Sequence, residues 1–97
     1  MATSTIHSDI DLKFRGSIGT SDNLNDYIGF AYAGIWYLGQ TPINSPTNFA
    51  PLLVIPGSED SGVQVIFRPI SGTFIRQRSG DPREWTSWYK VSSTVVS

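Results

Sequence analysis

Three groups of side chains in this 97-residue chain have the types and spacing to support chemistry. The first is His7, Asp9 and Asp11. On an extended strand, residues two apart project from one face, so an imidazole and two carboxylates would be presented together to a metal ion. Lys13 and Arg15 continue that face and repel a cation, and the chain has no cysteine and no second histidine to complete a ligand set. A solvated strand face accounts for the pattern better, so neither a metal nor a cofactor is expected. The second group is acidic. Asp60, Asp81 and Glu84 offer carboxylates of the kind that cleave glycosides in pairs. All three fall in predicted turns, where acidic side chains satisfy local backbone donors. Asp22 to Asp26 lacks the glycine and the distal glutamate of a calcium loop. No serine carries the flanking glycines of a nucleophile elbow, and the single histidine lies near the chain start. The chain is therefore read as a non-enzyme.

The third group concerns binding. Arg76 and Arg78 share a strand face and are expected to meet Arg68 across a hairpin, with Arg83 nearby. Such a patch grips phosphate, sialic acid or a uronic acid through charge-assisted hydrogen bonds. The simpler account puts Arg76 in a structural hydrogen-bond network at a subunit contact, and pairs Arg68 and Arg78 with acidic side chains of a neighbouring turn. Trp36, Tyr37, Trp85, Trp88 and Tyr89 could stack on the apolar face of a pyranose. A small sheet also builds its core from large aromatics, so most of the five are assigned to core or interface. The expected ligand site is a shallow groove at Trp88 with Arg68 and Arg78 on its rim.

These residues need strands to position them. Residues 63–91 read as three antiparallel strands in a row, β-branched and aromatic, punctuated at Pro69 to Gly72 and at Ser79 to Pro82. Trp85 and Trp88 lie three apart, so a regular strand would send them to opposite faces. Strict alternation over residues 6–15 predicts a strand with Ile6, Ile10, Leu12 and Phe14 on its apolar side, followed by a turn at residues 16–21. Residues 21–26 offer a side-chain cap for at most one short helical turn. Residues 33–38 and 52–55 read as strands, the second ended by Pro56. Residues 40–51 hold three prolines and read as a surface loop. The expected architecture is all-β: a small, single-domain antiparallel β-sandwich, with residues 1–21 as an N-terminal strand and attachment segment and residues 22–97 as the β domain.

Composition narrows the partners. Seven basic and eight acidic residues leave a formal charge of −1, which gives no global attraction to nucleic acid or anionic lipid. No apolar run approaches membrane-spanning length, and the start of the chain lacks the basic-then-apolar order of a signal peptide.

Taken in order, Asn23-Leu24-Asn25, Gly34-Ile35-Trp36-Tyr37, the proline loop, Leu52-Leu53-Val54-Ile55, Gly62-Val63-Gln64, Phe74-Ile75-Arg76 and Trp85-Thr86-Ser87-Trp88 resemble the pyocin-knob type domain of phage tail fibres. The resemblance spans residues 22–91 and rests on the order of several weak motifs. It implies a compact β knob that assembles as a homotrimer at a fibre tip, on the tail or baseplate periphery of the virion. It also implies contact with other virion proteins and with a host cell-surface glycan or protein, without catalysis. An architectural trimeric adaptor or decoration protein, binding only virion partners, is the alternative expectation. The shaft that usually precedes such a knob is missing here, so the first strand is expected to serve as the attachment segment.

Overall fold

A computed structural model describes residues 12–92 and 95–96. His7, Asp9 and Asp11, and the first half of the expected N-terminal strand, lie outside the described residues. The rest is a β fold: seven strands and two short 3-10 turns, with no α-helix among the described residues. The strands are β1 (Phe14–Ile18), β2 (Gly34–Leu38), β3 (Ala50–Pro56), β4 (Gly62–Ile66), β5 (Thr73–Ser79), β6 (Glu84–Trp85) and β7 (Tyr89–Val91).

They form one open sheet in the order β1-β2-β3-β4-β5, with β6 and β7 both pairing with β5. The expected sandwich is thereby corrected. From β2 to β5 each strand pairs antiparallel with its sequence neighbour, so this run never turns back to build a second layer. The sheet is not wholly antiparallel either, because β1 runs parallel to β2. A parallel neighbour requires a crossover, and residues 19–33 make it.

Cross-strand partners share a face, so the registers sort the side chains into two sets. Leu38 and Ala50, Trp36 with Leu52, Ile66 and Phe74, and Val54 with Gln64 and Arg76 lie on one face. That face carries the core: Ile18, Leu24, Leu38, Ala50, Leu52, Val54 and Ile66 are all buried. Leu24 comes from the crossover, which therefore covers this face of the sheet. Tyr27, Trp36, Phe74 and Trp88 pack around the margin. The other face holds Phe14, Ile35, Leu53, Val65, Ile75 and Tyr89 in one cross-strand row, with Ile55 and Val63 beside it.

The local chemistry explains the crossover. Asn23 caps the first 3-10 turn, Leu24–Asp26, by accepting from the Asn25 amide. Leu24 and Ile43 exchange no side-chain bond, but the Leu24 amide donates to the Ile43 carbonyl, which ties the crossover to the β2–β3 loop. Gly29 sits at φ 82°, where a Cβ would lie 1.8 Å from the Glu59 carbonyl oxygen. The crossover thus lies directly against the β3–β4 turn, an approach only glycine permits.

Two further expectations change. The first strand begins at Phe14 and runs through Gly16 to Ile18, where a turn was expected. A register shift between Phe14 and Gly16 moves the chain from one face to the other. Leu12 and Phe14, expected to be on a packed apolar side, are 64% and 67% exposed, and Ile18 enters the core instead. Ile18 packs in one cluster with Leu24, Leu38, Ala50, Leu52, Val54 and Ile66. The third strand of the 63–91 stretch is split into β6 and β7. Arg76 and Gln77 on β5 stand opposite Thr86, Ser87 and Trp88, one residue more on the outer strand. The extra residue makes a β-bulge and reverses the alternation, so Trp85 and Trp88 point to the same face of the sheet.

Candidate functional site

The two tryptophans converge on Arg76. Its guanidinium carbon lies 3.8 Å from the Trp85 ring centroid and 4.6 Å from that of Trp88. Arg76 Nε donates to Gln64 Oε1 at 2.8 Å, and Gln64 Nε2 donates to the Leu24 and Tyr27 carbonyls, both at 2.7 Å. Arg76 is only 4% exposed. Burial lowers its pKa to about 10, still well above neutral, so it remains a cation. The ring faces supply the electrostatic partner that a carboxylate usually provides. Arg76 Nη2 and Trp85 Nε1 are the buried side-chain polar atoms with no acceptor among the described residues. Arg76 therefore belongs to a structural network inside one chain, which links the crossover, β4, β5 and the bulge.

The ligand residues expected from the sequence do not form a single groove. Trp88 Nε1 donates to the Asn44 carbonyl at 2.9 Å, and Arg68 Nη1 donates to Thr47 Oγ1 at 2.7 Å. Both residues therefore hold the β2–β3 loop, residues 39–49. Arg78 is at the other end of the β4–β5 hairpin, opposite Gly62, with its Nε donating to the Asp60 carbonyl at 3.1 Å. Arg68 lies beyond the Ile66–Phe74 pair, so the length of the hairpin, roughly 13 Å at about 3.3 Å per residue, separates the two arginines. The expected meeting of Arg68 with Arg78 is corrected by this register. The acidic partner expected near these arginines goes to Arg83, whose Nε is 3.0 Å from Asp60 Oδ1. That bond holds the Asp60 carboxyl below its ordinary pKa.

A second aromatic group lies over β2. Tyr27, Tyr32 and Trp36 are in contact, with the Tyr27 and Trp36 rings edge-on at 4.9 Å. Arg15 lies over Trp36 at 5.3 Å and donates to the Ala33 and Ala31 carbonyls. Arg15, read from the sequence as a solvated residue, therefore clamps the end of the crossover. Tyr27 titrates above the ordinary phenol value, first because of burial and then because of Asp22, Tyr32 and Asp26 nearby. Of the five aromatics proposed for stacking, Tyr37 and Tyr89 are exposed, on the face opposite the core. Trp36, Trp85 and Trp88 are partly covered, each with an arginine over its ring. Sequence reasoning named Gln64 only within a motif and Arg15 only as a charge on a strand face, and gave neither a site role. Gln64 is a polar residue at a core position of an apolar strand, and that mismatch is the signal that could have found it.

Comparison with family models, curated proteins and solved structures finds no match.

Proposed function

We propose that this chain is a phage virion structural module, a fibre-tip knob or short tail fibre, which assembles as a homotrimer and recognises the host cell surface through a weak glycan contact. What supports the reading is the convergence of the residues that carry the resemblance. Trp36, Gln64, Arg76 and the Trp85–Trp88 pair come from four separate motifs, and all lie on one face of one sheet. The glycan contact is placed at the end of the sheet where Trp88 and Arg68 flank the β2–β3 loop. One exposed aromatic edge contributes on the order of 1 kcal/mol, which gives weak single sites that three copies strengthen through avidity.

The architectural adaptor is kept as a second reading because of a specific observation. Trp88 and Arg68 already direct polar groups into their own loop, which leaves less of each for a ligand. Adsorption of the purified protein to host cells separates the readings. Folded Arg68→Ala and Trp88→Phe variants are expected to adsorb less than the parent, while Arg78→Ala, at the far end of the hairpin, adsorbs equally. A parent that ignores host cells but binds virion proteins establishes the adaptor role in its place.

A further inference from the structure

β3 reads Ala-Pro-Leu-Leu-Val-Ile-Pro, apolar at successive positions and therefore on both faces. A near-continuous apolar run is the pattern of a strand covered on both sides. The crossover and its neighbours cover one side. The other is open among the described residues: Leu12 and Tyr89 are 64% exposed, Phe14 67% and Phe67 46%, and Ile55 and Val91 add to the same surface. Leu12, Ile35, Pro51, Leu53 and Phe67 line a recess of about 200 Å³ on it. No strand position of this face from β1 to β5 carries Asp, Glu, Lys or Arg.

We infer that this open face is the self-association surface, and that its occupant is the same face of the other copies of the chain, the three sheets of the homotrimer closing around one axis. Two properties select that occupant. A large side chain carries about 150–250 Å² of surface, so the exposed fractions amount to on the order of 700 Å² per copy, close to the roughly 800 Å² that each partner buries in a stable interface. Glu84, opposite Ser79 at the β6 edge, is the charge this face carries among its described strand positions; its β1–β5 positions offer nothing to steer a charged partner, whereas apolar sheet faces pack directly against one another at about 10 Å separation. The other copies supply the layer that the apolar pattern of β3 requires and that the described residues do not build. The inference rests on the self-assembling reading proposed above and adds the location of the contact.

The test is the mass of the intact protein by light scattering across a concentration series. The parent is expected to be oligomeric. Phe14→Glu and Phe67→Glu, each on the open face and each exposed, are expected to weaken assembly by about a hundredfold with an unchanged circular dichroism spectrum. Phe30→Glu is the control, since Phe30 is 62% exposed on the crossover, away from this face, and is expected to keep the parent's mass. If the parent assembles and both face variants assemble equally well, the interface lies elsewhere, and self-assembly stands without this face. If the parent is a monomer at every concentration, both readings fall; carbene labelling that then finds Phe14 and Phe67 protected would assign the face to the chain's own segment 1–11.

Discussion

Gln64 and Arg76 are the buried polar side chains among the described residues, and the glutamine joins the arginine to the crossover. Gln64 donates to two carbonyls of the crossover and holds Arg76 Nε, so its loss removes the partner of the Tyr27 carbonyl and of Arg76 Nε, while the Leu24 carbonyl keeps the Tyr27 amide. Each unsatisfied group costs roughly 1–3 kcal/mol, and Gln64→Leu is expected to lower stability by about 3 kcal/mol or more in urea unfolding. Arg76→Lys is expected to be nearly as damaging, because an ammonium cannot spread over two indole faces while its Nε–H is replaced. Tyr27 makes a pH-dependent contribution with a definite sign. Its pKa is raised in the fold, so the neutral phenol is the favoured form. Stability from this residue is complete below the unfolded value of 10.0 and is lost as pH rises from there through the folded value. Unfolding measured at pH 8 and pH 11 is expected to show a smaller loss for Tyr27→Phe than for the parent. An equal loss would remove Tyr27 from the account.

At the scale of elements, the bulge between β6 and β7 decides what β5 can do. Thr86 Oγ1 accepts from the Gln77 amide at 3.1 Å, and the Thr86 amide donates to the Gln77 carbonyl at 2.8 Å. Thr86→Val keeps the shape and removes the acceptor, with an expected cost of about 1 kcal/mol. Amide exchange at Gln77 is the sensitive readout, and an unchanged rate would show that the hydroxyl does not hold the bulge. This element also shows how much was legible beforehand. The strands at Gly34–Leu38, Ala50–Pro56, Gly62–Ile66 and Thr73–Ser79 follow from β-branched runs bounded by glycine and proline, and the Asn23 cap follows from residue type. The bulge was not legible, because one extra residue leaves no mark in an alternation pattern while it reverses every later side chain. The distance between the rim arginines was hidden in a similar way. Which arginines meet is set by register, and Arg68, just past the end of β4, and Arg78 on β5 lie at opposite ends of the hairpin.

For the whole molecule, an open sheet with one covered face has consequences for stability. If copies cover the second face for each other, folding and association are linked. The midpoint of thermal unfolding is then expected to rise with protein concentration, since a partner that binds only the folded chain stabilises it by mass action. A midpoint that stays constant over a hundredfold range of concentration would separate folding from assembly. Gly29→Ala is expected to act at this scale as well. A methyl group there collides with the Glu59 backbone and forces the crossover away from the β3–β4 turn, which is expected to cost several kcal/mol and to expose Leu24.

The parallel pairing of β1 with β2 also orders events in time. Strands β2 to β5 form a meander of consecutive hairpins, whose contacts are near in sequence and close early. β1 can dock only after the crossover has laid itself over a sheet that already presents Gln64. Ile18 is therefore expected to be absent from the rate-limiting nucleus and Ile66 to be part of it. In stopped-flow experiments Ile18→Val should mainly hasten unfolding, and Ile66→Val should mainly slow refolding. The edge that arrives last is expected to be the first to leave, so β1 is where amide exchange should find this molecule opening.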